Sequence, residues 1–511
     1  MNLYTIKVLY ALTLYTPILS SSVIIDKYPR LSKLLRIVGY IGVPATFMVL
    51  GLFRLPDFQV LLVVTSSLVA IAISLHSEGY YKVVYGLSRY FQVVVDNLLA
   101  LLILTFSSSY FVELLVYWFL LDLLVAFTAI TLERGSENIP VAATYLAMCA
   151  APSDVAILTM FSLLANKLGF YQALTTPLSE PPEVLGLDPI MSAIIAFGMA
   201  TKLGQFPLHT WLPIVHGEAP THISAILSGL VIKLGAFGLL VASKLFVLDP
   251  VAYYMLLAQG VISTIYGSFG AVLQSNLKRL LAYSSIGYGG LIVVLSSIRA
   301  LWGLELAYAA LLTLIAFHIV VKSLAFINTA FIYQAANTYD VYRLGYLYYV
   351  SRALSFCAFT TYMNLLGMPP SAGFFVKVLL VVLGIVLLGV SNIALAVLPA
   401  IAVSIVFSIA YSAKLISAYT SRIPRVAPKY VPIAMEVKLS ELYLSILSVL
   451  MPLPALYYAI ARNLVDYHVA ASILTVYFAT ILLYAYAIWK EAIARGPPRE
   501  DIKYWLSGVE A

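Results

Sequence analysis

The chain has 511 residues, 62% of them hydrophobic and 10% charged, with a net charge of +7. That balance excludes a soluble globular domain, and apolar runs of about 18 or more residues, each long enough for a hydrocarbon core of roughly 30 Å, recur throughout. The basic excess does not mark a nucleic-acid surface, because Lys and Arg sit in short loops between the runs, where they report orientation.

Fifteen runs are predicted to span a lipid bilayer as helices. The first three, 3 to 25, 34 to 55 and 57 to 76, form an N-terminal scaffold within residues 1–87. Run one lacks a small-residue cleavage site and reads as the first helix rather than a signal peptide. Lys27, Arg30, Lys33 and Arg36 fill the loop that follows. With the N-terminus outside and the C-terminus inside, these cations fall on one side with Lys278, Arg279, Arg422, Arg425 and Lys429. The loop from Gly169 to Asp188, which carries acids and no Lys or Arg, falls on the other.

Run four, 91 to 108, carries Asp96 and Asn97 near an end and reads as an interfacial polar pair. Run five, 110 to 131, sets Asp122 in VELLVYWFLLDLLVAF, too deep for so short a stem to reach water, so it needs a cation. Glu113, two and a half turns earlier, emerges toward the outer boundary. In run six, 139 to 168, Asp154 follows Pro152: either the kink admits water beside the carboxylate or the carboxylate caps the broken turn. Cys149 here and Cys357 later lie inside apolar runs, are too few for a metal or iron–sulfur site, and read as packing residues.

Run seven, 189 to 214, brings Lys202, the partner expected for Asp122, and Pro207 and Pro213 argue for a discontinuous helix. His209 in the broken part is read equally as functional and as packing. His216, Glu218 and His222 cluster at the turn without metal-ligand spacing. Run eight, 220 to 246, holds Lys233 in GLVIKLGAFGLL. A charge at this depth costs on the order of 2.5–3.5 kcal/mol or more. An ammonium there is paired or faces water, and it yields its proton readily because burial disfavours the charged form.

Runs nine and ten, 251 to 274 and 279 to 298, are joined by a link in which Lys278 and Arg279 read as boundary anchors. Run eleven, 303 to 332, carries His318 and Lys322 on one helical face, a relay in which a proton on one is felt by the other. Run twelve, 348 to 388, is interrupted by GMPPSAG shortly before Lys377. Two proline-rich breaks, each close to a lysine, point to a pathway and suggest two inverted five-helix repeats, about 88 to 246 and 251 to 418. Run thirteen, 391 to 418, ends near Lys414, which snorkels. Runs 438 to 460 and 466 to 490, within the C-terminal portion 419–511, offer no deep charge and read as scaffold with a polar inner tail.

These residues resemble the antiporter-like proton-conducting family: the M, N and L type subunits of respiratory complex I, their relatives in membrane-bound hydrogenases, and the large subunits of Mrp sodium/proton antiporters. The resemblance rests on KLGQFPLHTWLPIVHGEAPTHISAILSGLVIK, with its P-x-H-x-W-L-P turn between two lysines, and on LKRLLAYSSIGYGG, HIVVKSLAF and GMPPSAGFFVK, in order over most of the chain. By that resemblance Lys202 pairs with the span-five acid, Lys233 is the central lysine, His318 and Lys322 connect, and Lys377 is the terminal group. The family usually has glutamate where Asp122 stands, so a shorter stem must reach Lys202. Asp154 resembles an acid of the L type and its antiporter relatives, whereas the length without a lateral helix is closer to the M or N type.

The expected architecture is therefore an all-α membrane protein of 14 to 15 helices with two discontinuous ones. The expected proton pathway is Asp122, Lys202, Lys233, His318, Lys322 and Lys377, with Asp154, His209 and Glu113 as secondary candidates. The chain shows no iron–sulfur spacing, nucleotide loop or haem motif, so redox cofactors are expected in partner subunits. The resemblance implies a non-redox, ion-translocating subunit of an oxidoreductase complex in the cell membrane, beside other antiporter-like subunits. The alternative is a Mrp-type assembly exchanging Na+ and protons without redox chemistry.

Overall fold

The computed structural model describes residues 3–50, 55–86, 89–421, 426, 428–453, 474, 475, 477–483 and 486. Most of the fifteenth run, with Arg422, Arg425 and the polar tail, lies outside the described residues. The described chain is almost wholly helical: α1 (Leu3–Ile24), α2 (Pro29–Leu50), α3 (Asp57–Tyr85), α4 (Arg89–Phe106), α5 (Phe111–Ala129), α6 (Gly135–Leu168), α7 (Pro189–Lys202), α8 (Trp211–Glu218) and α9 (Thr221–Leu245). It continues with α10 (Pro250–Leu273), α11 (Leu277–Trp302), α12 (Glu305–Ala336), α13 (Arg352–Leu366), α14 (Ala372–Leu388), α15 (Ala394–Thr420) and α16 (Met435–Leu450). Among the described residues nine helices, α3 to α6, α9 to α12 and α15, are long and apolar enough to cross a bilayer. α7 and α14 are shorter and apolar. The chain is a multi-pass membrane protein, and its helices satisfy their own backbone polar groups as a hydrocarbon medium requires.

Local chemistry sets where the helices begin. Asp188 and Asp249 each precede a proline at the first helical position and accept backbone N–H groups of α7 and α10. Asn276 does the same for α11, accepting from Lys278 and Arg279. α9, α11 and α12 are largely enclosed by their neighbours, while α5, α6 and α15 leave much of their surface outward, toward lipid.

Both expected discontinuities are present. α7 stops at Lys202, and the chain passes through Gly204 and a cis Phe206–Pro207 bond before α8. α13 stops at Leu366, followed by Gly367, a cis Pro369–Pro370 bond and α14. Freed carbonyls at each break find protein donors: Trp211 Nε1 donates to Thr201 O at 3.1 Å, and Lys377 Nζ to Leu365 O and Leu366 O at 2.9 and 2.6 Å. Gly204 and Gly367 both adopt left-handed backbone, with φ of 69° and 79°.

The N-terminal segment is more than scaffold. Arg36 is 1% exposed and pairs with buried Glu78, while Asp96, read as interfacial, is fully buried and accepts from Tyr40 and Gln92 at 2.9 and 2.8 Å. The correction has a simple cause: α2, α3 and α4 pack together, so side chains near helix ends close on one another instead of on headgroups. Glu441 likewise contradicts the expectation that no charge beyond Arg422 lies deep, for it is fully buried.

Replacing Gly204 by Ala should destabilise the protein by more than the same change at Gly303. Both have positive φ, which costs a Cβ about 1–2 kcal/mol, but a Cβ at 204 meets Leu212 Cδ1 at 2.5 Å and one at 303 meets nothing within 4 Å. Thermal unfolding of the two variants in detergent reads the difference; equal losses would contradict it.

Candidate functional site

Among the described residues, the primary site candidates fall into three polar clusters, each built on a break or irregularity in a helix. The first joins α5, α6 and α7. Lys202, the last residue of α7, forms an ion pair with Asp122 of α5 and lies 3.3 Å from the hydroxyl of Tyr145 on α6, which itself donates to the same carboxylate oxygen. Lys202 is 0% and Asp122 2% exposed. The ammonium also lies over the rings of Trp118 and Tyr145, 5.3 and 5.4 Å from their centroids. The short aspartate stem thus reaches Lys202 directly. A turn of π-helix, Val125–Ala129, follows Asp122, and another, Leu146–Ala150, follows Tyr145. Such turns recur at functional sites because the extra residue rotates the helix face.

The second cluster joins α9, α11 and α12. A third π turn, Leu227–Val231, precedes Lys233, whose Nζ meets His318 Nδ1 at 2.8 Å, both groups fully buried. Lys322, one turn beyond His318, faces elsewhere, donating to Leu281 O at 3.0 Å and to Ser284. The two residues bond to different neighbours; the ring of Tyr288 lies beside both, 5.4 Å from the His318 ring and 5.7 Å from the Lys322 ammonium.

The third cluster is Lys377 on α14. Besides the two carbonyls at the end of α13 it donates to Ser408 of α15 at 2.6 Å. Among the described residues, then, Lys202 alone of these four lysines has a carboxylate partner. Neutral acceptors leave an ammonium's charge uncompensated at Lys233, Lys322 and Lys377, whereas Asp122 compensates that of Lys202.

The secondary candidates separate. Asp154 is half-buried with Oδ1 unbonded, near Asp122 and Lys202, and sits at the edge of the first cluster. His209 is 5% exposed, packed between Phe206 and Tyr266 with both ring nitrogens unbonded. Glu113 accepts the Ser109 N–H at 2.8 Å at the start of α5, apart from the clusters.

Lys278, read as a boundary anchor, is buried, donates to Ala219 O and lies 5.2 Å from the Tyr339 ring centroid. It lines a polar cavity of about 700 Å³ with Glu133, Arg134, Glu218 and Tyr80, on the face where the basic loops gather. Burial raises the pKa of Glu133 from its ordinary value, and the Lys278 cation opposes that shift. Sequence reading also missed Tyr145 and the π turns. A tyrosine in an apolar run carries no signal of its own, and no residue pattern encodes one extra residue per turn.

The chain matches the family described as NADH:quinone oxidoreductase/Mrp antiporter, TM, over residues 112–406. It is 32% identical over 296 residues to an NAD(P)H-quinone oxidoreductase chain 4-2 of Synechocystis sp., covering 56% of this chain and 50% of that one. It is 28% identical over 318 residues to hydrogenase-4 component B of Escherichia coli, covering 58% and 45%. The chain spans about half the length of these curated relatives. A chain of the Mrp complex from Dietzia sp. DQ12-45-1b shares the fold, with a TM-score of 0.69 at 15% identity, over 93% of this chain and 98% of that one.

Changing Asp122 to Asn should cost about 3–5 kcal/mol of stability, because it leaves Lys202 buried without an anion. The double change Asp122→Asn with Lys202→Met should cost less than the sum of the single ones. Denaturant unfolding of the four forms tests this; simple additivity would mean that the pair is not coupled.

Proposed function

Because this chain belongs to the NADH:quinone oxidoreductase/Mrp antiporter transmembrane family, we propose that it moves protons across the cell membrane as one subunit of a redox-driven complex. The observation that carries this reading is the asymmetry among the four lysines of the clusters: Lys202 ion-paired, and Lys233, Lys322 and Lys377 with neutral partners. Asp122, Lys202, Lys233, His318, Lys322 and Lys377, joined by water, form the path. Asp154 and His209 border it, and Glu113 lies toward the outer end.

The step begins when Lys202 is drawn from Asp122 toward Lys233. Two ammonium groups about 6 Å apart repel by about 3 kcal/mol at an effective dielectric near 20, roughly a hundredfold in how tightly the pair holds its protons. Lys233 then passes its proton to His318 Nδ1, already in hydrogen-bond contact. From His318 it crosses the gap beside Tyr288 to Lys322 and reaches Lys377, whose Ser408 contact offers a hydroxyl for onward transfer. Return of Lys202 to Asp122 lets Lys233 take up the next proton. The energy comes from companion subunits that hold the redox cofactors, in a quinone-reducing or hydrogenase-type assembly with further antiporter-like subunits. The basic face, with the C-terminus, lies inside and the N-terminus outside. The oxidoreductase and hydrogenase names of two relatives support this reading; Na+/H+ exchange in a Mrp-type assembly is the alternative.

Lys233→Ala should abolish proton movement coupled to electron transfer in vesicles carrying the purified complex while leaving assembly intact. Wild-type pumping in that variant would remove the central lysine from the mechanism. Sodium-dependent proton movement in wild-type vesicles without an electron donor would replace the redox assignment with a Mrp-type exchanger.

A further inference from the structure

A second line of buried ionisable groups runs beside the lysine row, and the proposed path does not use it. His222 of α9, His76 of α3 and Glu441 of α16 are each fully buried and stand in hydrogen-bond contact in that order. His222 Nε2 meets His76 Nδ1 at 2.8 Å, and His76 Nε2 meets Glu441 Oε1 at 3.3 Å. The far carboxylate oxygen accepts from Asn328 of α12 at 2.7 Å, and Tyr419 of α15 donates to that asparagine. At the near end, His222 Nδ1 is buried with no hydrogen-bond partner.

One of the rings packed on His222 also lines the polar cavity. The His222 ring packs against Tyr80 and Tyr81, 4.9 and 5.1 Å between centroids, and Tyr80 and Glu133 line the cavity of about 700 Å³. The other polar groups facing the line are Lys278 beyond the tyrosines, and Cys357, Tyr362 and Ser445 around Glu441. Among the described residues no group of three or more His, Cys, Asp or Glu could hold a metal ion, so a metal does not account for the arrangement.

We propose that His222, His76 and Glu441 form a proton-loading branch that draws from the basic-face cavity and stores one proton on Glu441. Both His76 and Glu441 lie outside the matched segment 112–406. In the starting state each ring carries its proton on Nε2: His222 donates to His76, and His76 to the Glu441 carboxylate. A proton taken from cavity water by His222 Nδ1 lets His222 release its Nε2 proton to His76 Nδ1. His76 then releases its Nε2 proton to Glu441. One proton enters, one carboxylate becomes a carboxylic acid, and both rings end with the proton on Nδ1. Asn328, six residues after Lys322 on α12, hydrogen-bonds the group whose charge has changed, so loading reaches α12 at Asn328.

This branch deepens the proton-transport reading, and its test needs no transport. The full chain, labelled with 15N-histidine and held in lipid nanodiscs, is followed by NMR between about pH 5 and 9. His76 and His222 should change protonation or tautomer together. Glu441→Gln should move both midpoints by about one pH unit or more, since it removes the anion at the end of the line, and His318 should be unaffected. His222→Phe should alter the response of His76 alone. Glu441→Asp, which keeps the acid on a shorter stem, gives the same contrast if the glutamine variant does not fold. Two histidines that titrate independently, that stay in one state throughout, or that ignore Glu441→Gln would overturn the branch. A Lys233→Ala chain that neither pumps nor loses the linked titration supports both readings separately. A chain that pumps normally in Lys233→Ala with the linkage intact supports the branch while sinking the central-lysine path.

Discussion

The row of lysines is arranged around one ion pair in a medium that tolerates ions badly. Lys202 and Asp122 cancel each other's charge where water is scarce, and Tyr145 donates to the carboxylate oxygen that Lys202 also contacts. The neighbouring lysines lack that protection: His318, a serine and backbone carbonyls can accept a hydrogen bond but cannot neutralise a cation. The first site is therefore electrically quiet and the others are not. In the proposed mechanism, displacement at the quiet site disturbs the rest and makes a row of amines a directional path.

The breaks in α7–α8 and α13–α14 serve the same end. A continuous helix buries its backbone and presents only side chains, whereas an interrupted one offers carbonyls that must be satisfied locally. At the second break the donor is Lys377 itself, so the terminal amine of the path is also a structural brace. At the first break the brace is Trp211, and Lys202 is left at the end of its helix, free to serve Asp122.

Much of this could be read from the chain. Deep ionisable residues in apolar runs are costly enough to announce themselves, and Asp122, Lys202, Lys233, His318, Lys322 and Lys377 all fall in the interior clusters. Proline and glycine likewise marked both breaks. What could not be read were partners decided by three-dimensional packing. His318 and Lys322 share a helix face by spacing, yet they bond to different neighbours because α9 and α11 approach that face from two sides. Lys278 and Asp96 looked like boundary residues because distance from a helix end was the only measure of depth; other helices cover them. His76 and Glu441, 365 positions apart, carried no joint signal at all.

Helices far apart in the chain are chemically fastened to each other. α16 lies against α3, and Lys33 pairs with Glu436 as His76 does with Glu441. Each bond has one half near the start of the polypeptide and the other beyond the segment that defines the family. Inheritance should treat them as a unit: a lineage that exchanged α16 would leave the His76 imidazole without its carboxylate and Lys33 with Glu78 alone. Gains and losses in these distant helices are thus bound to travel in pairs.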